Sequence, residues 1–527
     1  MKQKIAFLSC LFTATCALLF FRVFTLTVND GTSAVARRQS SYLVTADSSR
    51  GMIYDTNLKP LVNAGTTYKI ASNGTPEANA ALFEATGKSD LSGTPYITEL
   101  EKAVYSGKLT LLECVKRYEN TLATHIIGHL DGDKNGVYGI ERAYNDYLES
   151  LSGRLRVRFH VDGLMRALDS VVPELEDSGY NKKEGIVLTI DSRIQQIVEE
   201  EAPKLIKSGA VVVCEVSTGA IRASLSLPDF DPNNVAESLN DPTSPFVNRA
   251  FGEHSVGSTF KLAVAALALE NGYTEDYTHE CKGWVNVSGQ VFTCKNHSLP
   301  RTLNMTEALE VSCNTYFIDL ATELTANRLV GFAKRLCFGE HTLLAENYSA
   351  SSGYLPSLEE LQNPAELANL GFGQGKLLAT PVQISSLISA IANDGNMVYP
   401  YIVEGFTNAD GTEMKSYTAH FSPQRVMSVA TARKLQQMMI SVVEKGSGSQ
   451  AKPETLSAGG KTASAQTGRF DSEGSEIVDA WFSGFYPAEN PKYAIVIVNE
   501  GADSGSRYAA PVFKAICDRL YLMEKYG

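Results

Sequence analysis

Ser258-Thr259-Phe260-Lys261 sets a hydroxyl and an amine three positions apart. On a helix that spacing puts both side chains on one face, one turn apart. The residues that follow, Leu262 to Leu269, are apolar all round, and a helix without a polar face is buried. A lysine held in such surroundings is costly unless something uses it. A serine hydroxyl is a poor nucleophile and needs a base. The pair therefore reads as a nucleophile, Ser258, with a desolvated base, Lys261.

The pattern is short, and context has to decide its weight. A second copy, Ser449-Gln450-Ala451-Lys452, sits in a turn-rich stretch where nothing would bury the lysine. It reads as a solvated loop, as does Ser238-Leu239-Asn240. Two downstream segments support Ser258 instead. Ser312-Cys313-Asn314 lies in an apolar neighbourhood, and Lys461-Thr462-Ala463-Ser464 lies in a run of small residues. Burial depresses the Lys261 pKa and leaves the amine partly neutral. Cys313 reads as a packed thiol, because no histidine lies near it in sequence to make it a nucleophile.

The elements that carry these residues can be read from the chain. Gly209–Val216, the turn Ser217-Thr218-Gly219 and Ala220–Leu227 predict a hairpin. Asp191-Ser192-Arg193 opens an amphipathic helix with Ile194, Ile197 and Val198 on one face. Thr380-Pro381-Val382-Gln383 has the makings of a capping box, with proline at the first helical position. Gly459–Gln466, Ala480–Tyr486 and Tyr493–Asn499 predict three strands, and Pro511–Tyr521 a closing helix. Together they predict an α+β architecture, an α/β sandwich with an antiparallel sheet.

At 527 residues the chain exceeds one ordinary core. The expected organisation is an anchor over 1–28, a separate module over 29–180 and a catalytic domain over 185–527. The front module is expected to hold short strands such as Met52-Ile53-Tyr54, polar helical stretches around Thr98–Cys114, and a linker at Asp177–Lys183. Asp131-Gly132-Asp133-Lys134-Asn135-Gly136 resembles the start of a calcium loop, but flanking helices and a terminal glutamate are missing, so a solvated turn is the reading. A net charge of −12 argues against a nucleic-acid surface.

Lys2 and Lys4 precede an uncharged run from Ile5 to Phe21, and apolar character continues past Arg22 to Val28. About 20 such residues span a bilayer, and an arginine near one end can snorkel. The leading lysines favour a cytoplasmic N-terminus with the bulk outside. Ala34-Val35-Ala36 resembles a signal-peptidase site but lies well past the apolar stretch, so a retained single-pass anchor is expected.

Nine cysteines are present, with Cys10 and Cys16 inside the apolar run. Cys281 and Cys294 stand close together, flanked by His279 and His297. Outside the cytoplasm they could form a disulfide or remain two thiols. A zinc site calls for tighter Cys/His spacing than this.

The order SxxK (Ser258, Lys261), SxN (Ser312, Asn314) and KT (Lys461, Thr462) resembles the three-motif signature of the penicillin-recognising serine enzymes. Asn248-Arg249-Ala250, Gly373-Gln374-Gly375 with Thr380-Pro381, and Ala480-Trp481-Phe482 extend the likeness to class B penicillin-binding proteins. So do Arg50-Gly51-Met52-Ile53-Tyr54-Asp55 and Gly139-Ile140-Glu141 in the front module. The resemblance implies a membrane-anchored peptidoglycan DD-transpeptidase with a pedestal module, acting through a Ser258 acyl-enzyme that β-lactams also form. It implies Ser312 as proton relay, Asn314 as orienting group, Lys461 as positive potential, and Thr462 and Ser464 as hydroxyls for the substrate carboxylate. The oxyanion hole would be the backbone N–H groups of Ser258 and Ser464. Stem peptides ending in D-Ala-D-Ala, β-lactams and a polytopic SEDS-type glycan polymerase are the implied partners, with no cofactor, no metal and no nucleic acid. Hydrolysis, as a DD-carboxypeptidase or β-lactam hydrolase, and a weakly active scaffold are the alternatives. One departure stands out: Ala463 replaces the family's glycine after Lys-Thr. Alanine is the next smallest residue and every reacting side chain is kept, so a tolerated substitution is expected.

Overall fold

The computed structural model describes residues 2–28, 40–87, 92–168, 171–294, 297–416 and 422–526. The first helix, α1 (Lys2–Val28), contains a stretch, Lys2–Leu26, long and apolar enough to cross a membrane. Ala34-Val35-Ala36 lies outside the described residues.

The chain divides into two compact units. The first takes 1–51, 63–119 and 150–182; the second takes 52–62, 120–149 and 183–527. This differs from a contiguous front module over 29–180. Met52-Ile53-Tyr54 is wholly buried and pairs in parallel with Gly185–Leu188, which binds that segment to the second unit.

The first unit holds two three-stranded antiparallel sheets. One has Arg154–His160 between Ser41–Ser48 and Glu174–Ser178; the other has Gly65–Ser72 between Tyr96–Leu100 and Thr110–Lys116. The helical reading around Thr98–Cys114 is thereby corrected. Alternate residues Leu112 and Cys114 are buried, a period of two that only a strand satisfies. The linker reading at Asp177–Lys183 is corrected in part, since Asp177 and Ser178 pair with Leu155 and Arg154.

The second unit carries the sheet predicted from sequence. Its strands are β1 (Gly209–Glu215), β2 (Ile221–Leu227), β3 (Gly459–Phe470), β4 (Glu476–Tyr486) and β5 (Tyr493–Asn499). They run antiparallel in the order β2-β1-β5-β4-β3. Every residue of β5 is buried, because helices cover both faces of the sheet. The helices of this unit include α2 (Ser192–Glu201), α3 (Lys261–Glu270), α4 (Asn314–Leu324), α5 (Pro381–Ala392), α6 (Val429–Lys445) and α7 (Ala510–Tyr526). One face packs Ile194, Ile197 and Val198 of α2 and Phe513, Ile516 and Leu520 of α7 on Val211, Phe482 and Ile497. The other packs α5 on β1 and β5, and α6 on β3, with α3 against α6. The Thr380–Gln383 capping box forms as predicted, with Pro381 at the first turn.

Asp131 Oδ1 accepts the N–H groups of Asp133 and Asn135, so the 131–136 segment is a self-capped exposed turn. Ser449–Ala451 is a short 3₁₀ turn whose Lys452 pairs with Glu444 at the surface. Ser238 closes a short helical turn, Val235–Ser238, rather than a loop.

Candidate active site

Ser258 lies in the 3₁₀ turn Gly257–Phe260 that runs directly into α3. It is half-buried, whereas Lys261 through Ala268 are all buried. Two interactions fix the approach to this turn. Trp481 Nε1 donates to the Ser255 carbonyl at 2.9 Å, and the Gly257 N–H donates to the Gly373 carbonyl at 2.8 Å. Gly373 has φ +79°, and a Cβ there would stand 1.9 Å from the Gly257 carbonyl oxygen, so only glycine fits. The Gly373-Gln374-Gly375 and Ala480-Trp481-Phe482 motifs are thus supports for the turn that carries Ser258.

Lys261 Nζ donates to the Ser312 carbonyl at 2.8 Å, to Asn314 Oδ1 at 2.7 Å and to Ser312 Oγ at 3.3 Å. It also lies 5.6 Å from the centre of the Phe317 ring. Burial pulls its pKa down to about 8. Ser312 holds φ +54°, a left-handed conformation uncommon for a residue with a side chain. The turn leaves its carbonyl aimed at Lys261 and starts α4 at Asn314.

Lys461, on β3, is also fully buried. Its Nζ donates to the Thr462 carbonyl at 2.8 Å, and its pKa is lowered by burial first and by repulsion from Lys261 second. Thr462 Oγ1 lies 2.9 Å from Ser447 Oγ. Ser464 is exposed, and its Oγ accepts the Gly505 N–H at 3.3 Å. The three predicted motifs therefore converge: Lys261, Ser312 and Asn314 are hydrogen-bonded together, and Lys461 is close enough to Lys261 to repel it. Ser258 Oγ has no hydrogen bond among the described residues. Ser447 escaped sequence reading because a glycine-flanked serine in a turn carries no signal of its own.

A cleft of about 440 Å³ opens beside Asn314. Phe292, Thr293, Gln374 and Gln466 line it.

Ala463 is buried, and strand alternation turns its methyl away from Thr462 and Ser464. A methyl built on Gly257 would come 3.3 Å from the Ala463 Cβ, so the alanine side chain faces a residue that has none. Ala463→Gly removes a buried methyl and loosens the strand. The expected loss is about 1–2 kcal/mol in thermal or urea unfolding. The rate of acylation by a penicillin should stay within about twofold, because the methyl faces Gly257 and points away from the Thr462 and Ser464 hydroxyls.

The sequence also has known relatives. The "Penicillin binding protein transpeptidase domain" profile matches residues 209–518. Stage V sporulation protein D of Bacillus subtilis is 28% identical over 435 residues, 79% of this chain and 65% of that protein. Peptidoglycan D,D-transpeptidase MrdA of Escherichia coli K12 is 28% identical over 442 residues, 76% of this chain and 66% of that protein. The chain thus spans slightly under two thirds of the length of these relatives. Among solved structures, a chain from a peptidoglycan synthase complex superposes with a TM-score of 0.72 at 24% identity, covering 98% of both chains. The D,D-transpeptidase domain of a peptidoglycan glycosyltransferase from Eggerthella lenta gives a TM-score of 0.66 at 24% identity, covering 90% of this chain and 99% of that one. The protein belongs to the penicillin-binding protein transpeptidase family, on its class B side.

Proposed function

We propose that this chain is a peptidoglycan DD-transpeptidase acting through a Ser258 acyl-enzyme. The observation that carries the reading is the buried Lys261 amine, held by Ser312 and Asn314 one turn below a half-buried serine. Lys261 takes the Ser258 proton as Oγ attacks the carbonyl of the penultimate D-alanine. The tetrahedral oxyanion is stabilised by the N–H groups of Ser258 and Ser464. Ser312 passes a proton to the departing D-alanine amine, and an amine of a neighbouring stem then attacks the acyl-enzyme. Thr462 and Ser464 hydroxyls receive the substrate carboxylate. That carboxylate also restores the charge of Lys461, since a nearby anion favours the protonated form.

α1 anchors the chain with its N-terminus in the cytoplasm and the catalytic unit outside, where the cell wall is. The first unit serves as a pedestal. The glycan strand comes from a separate SEDS-type polymerase; the likeness to a chain from a peptidoglycan synthase complex supports that pairing.

Labelling with a fluorescent penicillin, followed by peptide mapping, tests the reading. A stable adduct on Ser258 is the expected result. An adduct on another residue, or none, would overturn it. Rapid loss of the label would instead assign the chain to the hydrolytic enzymes.

A further inference from the structure

We propose that Cys281, Cys294, His297 and Cys313 form a tetrahedral zinc site that clamps the SxN turn to the wall of the substrate cleft. Residues far apart in sequence meet here. The three Sγ atoms and the His297 ring nitrogen all lie within 4.8 Å of one another. Cys281, Cys294 and Cys313 are buried, and no disulfide joins the described cysteines. Wide spacing in the chain argued against zinc; the fold supplies the proximity that the spacing concealed.

Two edges of the cluster are already close to coordination length. Zn–S bonds of about 2.3 Å and Zn–N bonds of about 2.0 Å at tetrahedral angles require S···S edges of about 3.8 Å and S···N edges of about 3.5 Å. Cys294 Sγ lies 3.9 Å from Cys313 Sγ and 3.7 Å from His297 Nε2. Three buried thiolates with one half-buried imidazole form a structural zinc set.

The surroundings are arranged as a metal would need. His297 Nδ1 donates to the Ser298 carbonyl at 3.0 Å, which fixes the tautomer and leaves the Nε2 lone pair facing the cluster. The Asn314 N–H donates to Cys294 Sγ at 3.4 Å, and the Thr315 hydroxyl is 3.4 Å from Cys313 Sγ. Such bonds to sulfur hold thiolate ligands in place. On binding, the three thiols release their protons to solvent and each donates a lone pair to Zn²⁺.

The location gives the site its use. Cys313 sits between Ser312 and Asn314, the two residues that grip Lys261. Cys294 follows the hairpin strand Gln290–Thr293, whose residues line the cleft. Asn314 Nδ2 also donates to the Thr293 carbonyl at 3.2 Å. Zinc would join hairpin, turn and α4 into one piece, and would keep Ser312 in its left-handed conformation. The clamp's effect on catalysis rests on the transpeptidase reading; the metal site itself does not.

The test uses the full chain in detergent, purified without chelator. Elemental analysis should find about one zinc per chain, and X-ray absorption at the zinc edge should show three sulfurs and one nitrogen. Replacing the metal with Co²⁺ should give thiolate-to-metal charge-transfer bands. Cys281→Ser and His297→Ala should each strip the metal and slow penicillin acylation roughly tenfold to a hundredfold, the cost of a misplaced catalytic group. A metal-free protein that stays spectroscopically silent with added Co²⁺ would overturn the site. So would a disulfide between two of these cysteines in protein that labels at full rate. If the variants fail to fold, the wild-type cobalt spectrum still decides. Zinc bound in a protein that penicillin does not label upholds the site and removes the transpeptidase reading instead.

Discussion

Lys261→Met should lower the rate of penicillin acylation by about 10²- to 10⁴-fold, the range that removal of a positioned general base spans. Methionine fills the same buried slot, so packing is retained. Two opposing effects then act on stability. The costly buried amine is gone, while the Ser312 carbonyl and Asn314 Oδ1 each lose a donor. An orphaned buried acceptor costs about 1–3 kcal/mol. The net change in unfolding free energy should be small beside the change in rate. Stopped-flow or gel-based acylation kinetics together with thermal unfolding separate the two. A variant that labels at the wild-type rate would remove Lys261 from the mechanism.

The same lysine sets the pH profile. In the wild type, acylation should rise roughly tenfold per unit toward a pH of about 8, as the neutral amine becomes available. Between about 8 and the ordinary lysine value, the unfolded chain holds a proton that the folded chain lacks. Stability contributed by Lys261 therefore rises with pH through that window and is lost below it. Lys261→Met should flatten both trends.

Arg249→Ala should have the largest effect on stability, about 3 kcal/mol in urea unfolding. Arg249 Nε donates to Glu500 Oε2 at 2.7 Å, and its other nitrogens reach the carbonyls of Ser244 and Thr243 at 3.2 and 2.9 Å. Its backbone carbonyl is 2.8 Å from His254 Nε2, and His254 in turn faces Glu500 and Asp479. Removing the guanidinium leaves Glu500 without its closest cation in a site where its side chain is only 22% exposed. Burial alone would raise the Glu500 pKa, yet the Ser208 hydroxyl and the charges of His254 and Arg249 outweigh it and hold the carboxyl low. The stability this supplies is present above the unfolded glutamate pKa and is lost as pH falls. Because His254 opens the segment that leads to Ser258, acylation should slow as well. Arg249→Lys should recover part of the loss, since it keeps the charge but not the fork of donors. A loss below about 1 kcal/mol for Arg249→Ala would show the network to be solvent-screened.

Much of the site was legible because its chemistry lies in short runs. Ser258 and Lys261 share one helix face, and order along the chain sorted the Ser312 and Lys461 segments from the decoys at Ser449 and Ser238. Most strands of the five-stranded sheet were readable as apolar runs, β3 as a run of small residues, and α5 through its cap. What could not be read was anything set by distant pairing. Thr98–Cys114 looked helical because polar residues interrupt it, while its two ends belong to two strands that each pair with Gly65–Ser72. Met52–Tyr54 declared itself a strand but not its partner, Gly185–Leu188. Cys313 seemed a solitary thiol, and only the turn that also strains Ser312 brings it to Cys294.

The central sheet also has a consequence for the order in which the chain can fold. β5 lies between β1 and β4, yet it is made long after β1. During synthesis the β1–β2 hairpin emerges with the β1 edge open, a row of unmatched N–H and C=O groups that invites pairing with another chain. The five-stranded sheet closes only when residues 493–499 arrive, after the polypeptide carrying Ser258 and Lys461 is complete. Contacts of such separation make folding slow and favour exposed intermediates. Ser258 is made early, and the sheet beneath it is completed last.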